Sequence, residues 1–446
     1  MEAVDIMIIR KLAVLGVLFA VVWSCSLASA GVGNAAICSF REQMPYAAGK
    51  GSDGVEIGDI NGDGSNELVV ANRMSINLTL FRQTSGDKDW LEEYQTIPVS
   101  WPPAVLAIGD INQDGLSDVV IAHYDNYLIL PSRNFTNTFG VCYQNATTHL
   151  LDPETSYTFS YGTSSRAIAT GDVNNDGWPE VVVANEGTGN QIYIWTWNQM
   201  TSKLEQTDNY ASTSSNVISI TVGDVTGDNL NDVVLYGSSL VVFAQDNVGK
   251  LVAAVNYGDT GSKGQPGGES GDIGDVNGDG LNDVVGSTAF SGEITVWLQN
   301  ATTHQIEKHG TLNCGSYTED TEVADLNDDG LADVAVASRD YSKLYLFYQN
   351  ATTHELEPPV NYSAFPDKWL NELAVGDLNG DGVTDIAGSN WGEGSVGNPN
   401  PPYTWASVWL QNNPSSVPDT ANAAALVALG AGISIAAMAA RRKPEN

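Results

Sequence analysis

The sequence predicts an all-β fold, a seven-bladed β-propeller formed by residues 31–413. An acidic motif returns seven times, and its first aspartates are 51, 62, 52, 51, 50 and 52 residues apart. Each period carries short apolar runs bounded by glycine, asparagine and aspartate, which are strand signals rather than helix signals. A period of about 50 residues with such strands is typical of propeller blades.

The motif has the form D-x-N-x-D-G-x-x-[DE], and we number its copies as loops 1 to 7. Side-chain oxygens at positions 1, 3, 5 and 9 and a backbone carbonyl at position 7 suit a hard cation such as Ca²⁺. Glycine at position 6 allows a sharp turn. The predicted ligands are Asp59, Asn61, Asp63, Ser65 and Glu67; Asp110, Asn112, Asp114, Leu116 and Asp118; Asp172, Asn174, Asp176, Trp178 and Glu180; Asp224, Thr226, Asp228, Leu230 and Asp232; Asp275, Asn277, Asp279, Leu281 and Asp283; Asp325, Asn327, Asp329, Leu331 and Asp333; and Asp377, Asn379, Asp381, Val383 and Asp385.

Loop 4 departs from this pattern at two positions. Thr226 replaces the asparagine at position 3, and Asn229 replaces the glycine at position 6. Asparagine tolerates a left-handed backbone, so the loop is still expected to form. We therefore predict about seven Ca²⁺ sites, with weaker binding at Asp224, and a structural role in joining the first strand of each blade to the second.

The two ends of the chain carry export and membrane signals. Residues 1–30 have the pattern of a secretory signal, with a lipoprotein acceptor at Cys25 as the alternative. Residues 421–440 are apolar and long enough to cross a hydrocarbon core of about 30 Å, and the basic tail 441–446 is expected to stay cytoplasmic. The linker 414–420 contains Val417-Pro418-Asp419-Thr420. This motif resembles the sorting signals of exosortase- and archaeosortase-type enzymes.

The predicted location is therefore the cell surface, with the body anchored by the C-terminal helix or processed by a sortase-like enzyme. A formal charge of −35 argues against nucleic acid as a partner. Three cysteines remain after removal of the signal, namely Cys38, Cys142 and Cys314. Since their number is odd and they fall on different blades, we expect free, mostly buried thiols.

Ring closure is predicted from the two ends of the repeat region. The last repeat stops after its third strand, at Gln411, and residues 38–46 resemble the fourth strands of other repeats. The N-terminal strand is therefore expected to complete the seventh blade and cover a sheet edge. The longer second period indicates an insertion of about ten residues within 127–165.

A hairpin, Gln-Asn-Ala-Thr-Thr-His, occurs verbatim from Gln144, Gln299 and Gln349. Its asparagines, Asn145, Asn300 and Asn350, stand in glycosylation sequons. The favoured interpretation is that these are turn residues of equivalent hairpins, on the same face as the acidic loops.

On these repeats the sequence resembles the FG-GAP family, the calcium-loop propellers of integrin α-chains and their microbial relatives. The resemblance covers the repeat region and implies a seven-bladed propeller that binds Ca²⁺. It implies no single activity.

The loops that follow the second strands differ from repeat to repeat, which suggests a ligand face. Unselected loop drift is the alternative. The candidate residues are Arg73, His123, Tyr124, Glu186, Arg339, Asp340 and Trp391. The resulting hypothesis is non-catalytic adhesion or recognition of an extracellular protein or glycan.

A carbohydrate-active protein, either a lectin or a polysaccharide lyase, is the second hypothesis. In a lyase, His123 would act as the base with Tyr124 and Arg73 beside it, and Trp391 or Trp178 would stack on sugar rings. The sequence contains no serine-hydrolase, zinc-protease or zinc-finger motif, so we expect no enzyme. A purely structural envelope component is the third. Trp195, Trp297 and Trp409 lie in third-strand patterns, and we expect them to pack between blades.

Overall fold

The computed structural model describes residues 39–412 apart from 87, 124–136, 160–163, 187–190, 215–216, 253, 261–267, 289–290, 316, 366–367 and 393–403. The predicted signal peptide, linker, membrane helix and tail lie outside these residues, as does Cys38, so the expectations for them stay predictions. Within the described part, no helix is long and apolar enough to cross a membrane.

The described strands form seven four-stranded antiparallel sheets, or blades. Blades 1 to 3 contain β2 (Ser52–Gly58), β3 (Glu67–Asn72), β4 (Asn77–Gln83) and β5 (Leu91–Pro98); β6 (Pro103–Gly109), β7 (Asp118–His123), β8 (Thr138–Cys142) and β11 (Thr155–Thr158); and β12 (Ser164–Gly171), β13 (Glu180–Glu186), β14 (Gln191–Asn198) and β15 (Lys203–Ala211). A small hairpin of β9 (Gln144–Asn145) and β10 (Leu150–Leu151) forms a separate two-stranded sheet between β8 and β11 in the chain.

Blades 4 to 7 repeat the arrangement. They contain β16 (Ser219–Gly223), β17 (Asp232–Tyr236), β18 (Ser239–Phe243) and β19 (Val255–Asp259); β20 (Gly268–Gly274), β21 (Asp283–Thr288), β22 (Glu293–Gln299) and β23 (Ile306–Asn313); β24 (Thr318–Ala324), β25 (Asp333–Ser338), β26 (Lys343–Phe347) and β27 (Val360–Ser363); and β28 (Lys368–Gly376), β29 (Asp385–Gly392), β30 (Trp405–Trp409) and β1 (Met44–Ala47).

The blades form a closed ring. The first strands of successive blades lie side by side around an unbroken circle, and β28 of blade 7 lies next to β2 of blade 1. Blade 7 takes its outermost strand from the other end of the chain, because β1 pairs with β30 from Met44 opposite Val408 to Ala47 opposite Trp405. A further bridge joins Phe40 to Gln411. The all-β, seven-bladed propeller is thus confirmed.

The hydrophobic core lies between blades rather than within one blade. Each sheet presents apolar side chains on both faces, so second strands such as β3 and β7 are buried along their whole length. This explains their continuous apolar sequence. Trp195, Trp297 and Trp409 are all buried between neighbouring blades, as predicted.

Two cysteines belong to this core. Cys142 and Cys314 are free and buried. Burial raises the pKa of the Cys314 thiol to about 12, so the reactive thiolate is suppressed at neutral pH. These residues therefore pack as small apolar side chains, in agreement with the expectation of free, buried thiols.

Candidate metal centres

The seven acidic loops connect the first strand of each blade to the second. In blade 1, β2 ends at Gly58 and β3 begins at Glu67, so residues 59–66 form the connection. First strands run in the same direction around the ring, and all seven loops therefore open at one end of it. We call this end the loop face, and the other end the opposite face.

Each loop is closed by hydrogen bonds to its own backbone. In loop 1, Oδ2 of Asp59 accepts the N–H of Gly64 at 3.0 Å, and Oδ1 of Asp63 accepts the N–H of Ser65 at 2.9 Å. The bond from position 6 to position 1 recurs in the other six loops at 2.7–2.8 Å. Carboxylates at positions 1 and 5 are thereby turned toward the interior of the turn.

The carboxylate at position 9 ties the loop to the blade. Oδ2 of Asp118 accepts the N–H of Ile111 at position 2, at 3.1 Å, while Oδ1 accepts the N–H of Gln144, just after the third strand, at 2.8 Å. Loops 4, 5, 6 and 7 repeat both bonds. Glu67 and Glu180, which are longer, also accept the N–H at position 2, at 3.1 Å. Their other oxygen accepts a side-chain amide N–H from the asparagine at position 3, at 2.6 Å.

Two positions in each loop have a left-handed backbone. Position 6 has φ between +84° and +89° where it is glycine, and Asn229 in loop 4 reaches φ +65°. Asparagine thus supports the turn, as expected. Position 4 is also left-handed, which the motif analysis missed. Most residues at position 4 are of types that tolerate this conformation, so the sequence alone could have indicated it. They are Gly62, Gln113, Asn175, Gly227, Gly278, Asp328 and Gly380.

The electrostatics of the loops favour a cation. Burial raises the pKa of the position-9 carboxyls, with neighbouring loop carboxylates adding to the rise and backbone N–H groups opposing it. The values are about 8 for Glu67 and Glu180, about 7 for Asp118, Asp283, Asp333 and Asp385, and about 6 for Asp232. A bound divalent cation would offset this like-charge repulsion, and the oxygen-only donor set suits Ca²⁺.

The carboxylates are not gathered around a common point. Among the described residues, no group of three or more Asp, Glu, His or Cys side chains stands close enough to hold a metal ion. Each predicted site also uses an amide or hydroxyl oxygen and a backbone carbonyl. The donor types fit calcium, and binding would require the loop side chains to converge. Calcium at these loops stays a prediction.

The repeated hairpins dock on the loops of the preceding blade. Nδ1 of His149 in blade 2 lies 3.0 Å from the carbonyl oxygen of Asn61 in loop 1, and a carbonyl can only accept. His304 makes the same contact with Thr226 at 2.8 Å, and His354 with Asn277 at 3.0 Å. The hairpins and the loops therefore share one face, as the sequence analysis expected.

The sequon asparagines are structural turn residues. Oδ1 of Asn145 accepts the N–H groups of Thr147 and Thr148, and its Nδ2 donates to Asp152. Asn198 makes the same bonds, to Met200, Thr201 and Glu205, without standing in a sequon. Because the bonds do not depend on the sequon, they support the interpretation of these hairpins as polar turns.

The opposite face carries an arc of arginine and tryptophan. The guanidinium of Arg339 lies 3.7 Å from the ring centre of Trp369, and that of Arg73 lies 5.8 Å from the ring centre of Trp391. Trp369 and Trp391 are directly paired on β28 and β29. We call these four half-buried residues, which span blades 6, 7 and 1, the Arg–Trp arc.

Carboxylates hold both arginines in place. Arg73 donates to Asp53 at 2.8 Å, and Arg339 donates to Glu319 at 2.8 Å and also lies 5.0 Å from the ring centre of Tyr317. The ligand-face prediction thus includes three residues that the structure brings together, namely Arg73, Arg339 and Trp391. It missed Trp369, which lies on a first strand rather than in a loop after the second.

The prediction that His123 faces a ligand is wrong. Its side chain is 0% exposed, Nδ1 lies 3.1 Å from Oγ1 of Thr138, and Nε2 lies 3.4 Å from Oε1 of Glu154. Burial lowers its pKa to about 4, although Glu154 opposes the shift, so the ring is neutral at pH 7. The last residue of a second strand is enclosed by its neighbours, as the fully buried Asn72 and Ser338 also show.

The other three residues predicted for the ligand face neither support nor contradict that prediction. Asp340 is exposed and lies two residues after the end of β25. Tyr124 lies outside the described residues. Glu186 is the last residue of β13, pairs through its backbone with Ser164, and has a side chain outside the described set.

A group of carboxylates lines the centre of the ring. Burial raises the pKa of Glu56 to about 8, with smaller contributions from Asp320 and Asp272 of blades 6 and 5. Burial also raises the pKa of Glu322 and Glu372 well above its usual range. Since carboxylates from four blades act on one another, their side chains face a common interior.

This group predicts a pH dependence of stability. A carboxyl whose pKa is raised in the folded state destabilises the protein as pH rises from its unfolded value near 4.5 through the folded value. We therefore expect Glu322→Gln to melt a few degrees above the unaltered protein at pH 8.5, with the difference vanishing at pH 5. Thermal melts in saturating Ca²⁺ test this.

Glu42→Gln, at an exposed position, is the control for this experiment. It should leave the melting temperature unchanged at both pH values. A gain for Glu322→Gln that is equal at pH 5 and pH 8.5 would contradict the electrostatic explanation.

The fold and loops define a class, the propellers built from repeated acidic loops. A model of the FG-GAP-like repeat matches residues 48–121, 172–235, 275–336 and 325–388. The chain therefore belongs to the FG-GAP-like repeat family. The comparison with curated protein sequences finds no match.

Solved structures show the same fold at low sequence identity. The chain is similar to BBS1N in complex with ARL6DN, in crystals soaked with lead (TM-score 0.56) and with mercury (TM-score 0.57). Identity is 12% in both cases, and the match covers 84% of this chain and 98% of the other. At this identity the likeness extends to the fold alone.

Proposed function

We propose that the protein is a calcium-binding recognition propeller at the cell surface, which binds an extracellular protein or glycan through its opposite face. In this proposal the body is exported, and the apolar segment 421–440, for which the sequence predicts a membrane helix, holds it at the membrane. The observation that carries the proposal is the Arg–Trp arc, at the end of the ring remote from the metal loops.

The chemistry of the arc suits ligand binding. Arginine and tryptophan are enriched among the residues that dominate the energy of protein interfaces, and tryptophan also stacks on sugar rings. The arginines are oriented by carboxylates and ring faces, so little side-chain entropy is lost on binding. The calcium loops have the separate role of fixing the blades from the loop face.

The lyase hypothesis loses the residue on which it depended, because His123 is wholly buried. A glycan remains a candidate ligand on the tryptophans of the arc. Protein and glycan ligands therefore enter the same experiment.

The test is a binding screen of residues 31–414 against glycans and extracellular-matrix proteins in Ca²⁺. We expect Arg339→Ala to weaken binding of the ligand found by about 30-fold or more, since hot-spot truncations cost at least about 2 kcal/mol.

Arg82→Ala is the matched control. Arg82 also has a carboxylate partner, Glu92 at 2.9 Å, and an aromatic neighbour, Tyr94 at 5.3 Å, but it lies on the outer strands of blade 1. It should leave the affinity unchanged. Equal losses in the two variants, or a ligand indifferent to both, would contradict recognition by the arc.

A further inference from the structure

Direct hydrogen bonds link three of the metal loops to one another. Asn282 is position 8 of loop 5, between the predicted ligands Leu281 and Asp283. Its Nδ2 donates to the backbone carbonyl of Asp224, position 1 of loop 4, at 3.0 Å. In turn, Nδ2 of Asn231, position 8 of loop 4, donates to the carbonyl of Asp172, position 1 of loop 3, at 3.1 Å.

We propose that calcium sites 5, 4 and 3 bind as a coupled series, with Asn282 and Asn231 as the positioning residues. A cation in one loop fixes the carbonyl of position 7 and the carboxylate of position 9, and so fixes the asparagine between them. That asparagine then holds the first ligand residue of the next loop. The inference rests on the calcium sites proposed above, not on the ligand of the opposite face.

Loop 4 shows why the coupling matters. It has the weakest ligand set, since Thr226 stands at position 3. Its backbone is held twice from blade 5, at Asp224 by Asn282 and at Thr226 by His304. Hydrogen bonds from blade 5 thus fix the backbone of a loop whose own ligand set is weak. Asn231 of loop 4 in turn fixes the first ligand residue of loop 3.

The other loops give an internal contrast. Position 8 of loop 6 is Ala332 and that of loop 3 is Pro179, and neither side chain can donate a hydrogen bond. Blade 6 reaches loop 5 by a longer path, because Gln349 donates its backbone N–H to Asp333 of loop 6 and its Nε2 to the carbonyl of Asp275 at 3.0 Å. Emptying loop 6 should therefore affect loop 3 much less than emptying loop 4 does. Asn66 of loop 1 donates to the carbonyl of Asp377 in loop 7 at 3.0 Å, which is a separate link of the same kind.

Loop 3 contains a natural reporter of its own occupancy. Trp178 stands at position 7 and is 39% exposed. Tb³⁺, a luminescent substitute for Ca²⁺, bound there would be excited through this tryptophan. Trp178→Phe measures the background from the other tryptophans, so the difference reports on loop 3.

The experiment is a Tb³⁺ titration of residues 31–414 and its variants. We expect two variants each to raise the dissociation constant of Tb³⁺ at loop 3 by about two- to tenfold, the effect of one hydrogen bond. The first is Asn231→Ala. The second empties loop 4 with Asp224→Asn and Asp228→Asn together. Asn282→Ala should act on loop 3 in the same direction but less.

The control empties loop 6, two blades further along the ring, with Asp325→Asn and Asp329→Asn, and should weaken loop 3 much less than the loop-4 changes do. The coupling is overturned if both loop-4 changes leave loop 3 unaffected, or if the loop-6 control weakens loop 3 as much. Absence of Trp178-dependent luminescence in the unaltered protein would overturn it too, together with the metal assignment, whereas ligand binding by the Arg–Trp arc would still be tested on its own.

Discussion

Removal of calcium is expected to lower the melting temperature of the propeller body by about 10–20 °C. At a Ca²⁺ concentration about ten times the dissociation constant, each site adds about 1.4 kcal/mol, and seven sites approach about 10 kcal/mol. That is comparable to the whole net stability of a typical domain. The physical cause is repulsion among the carboxylates of each loop, which the cation removes.

The measurement compares thermal melts of residues 31–414 in millimolar Ca²⁺ and in EDTA. Restoring Ca²⁺ should restore the original curve, and Mg²⁺ should do so poorly, because it demands tighter octahedral geometry. Superimposable curves with and without EDTA would remove the structural role of the loops.

Loss of the N-terminal strand is expected to have the second largest effect. Deleting residues 31–47 removes β1 and therefore its pairing with four positions of β30. It also removes the buried side chains of Phe40 and Tyr46. Truncation of a buried aromatic side chain alone costs about 3–5 kcal/mol. The exposed edge of β30 would also favour aggregation.

We expect the truncated chain to melt at least about 10 °C lower than residues 31–414 and to elute partly as aggregate. Tyr46→Ala tests the same contact more gently, and Tyr341→Ala is its control because Tyr341 is 59% exposed. Identical melting of the truncated and full bodies would show that ring closure contributes nothing to stability.

Local chemistry explains why the fold could be predicted from the sequence. The acidic loops recur with a period of about 50 residues, and each lies between two apolar runs, so the motif sets both the number of blades and the place of the first two strands in each. Glycine or asparagine at position 6 reports the left-handed backbone that the turn requires there.

Contacts between blades could not be predicted in this way. The sequence predicts His149, His304 and His354 as turn residues. Their hydrogen-bond partners are backbone carbonyls 77 to 88 residues away, in the loop of the preceding blade. His123 looked like a loop residue because polar residues follow it. It is the last residue of a second strand, and the neighbouring strands enclose its side chain as they do those of Asn72 and Ser338. Trp369 could not be predicted from loop variation because it lies on a first strand, β28.

The most direct test of the central claim is native mass spectrometry of residues 31–414 purified in Ca²⁺. We expect a folded chain that retains about seven Ca²⁺ ions, one for each acidic loop. It should retain fewer ions than the unaltered chain when loop 4 is altered by Asp224→Asn and Asp228→Asn together with Asn282→Ala. A folded chain that carries no Ca²⁺ would contradict the claim.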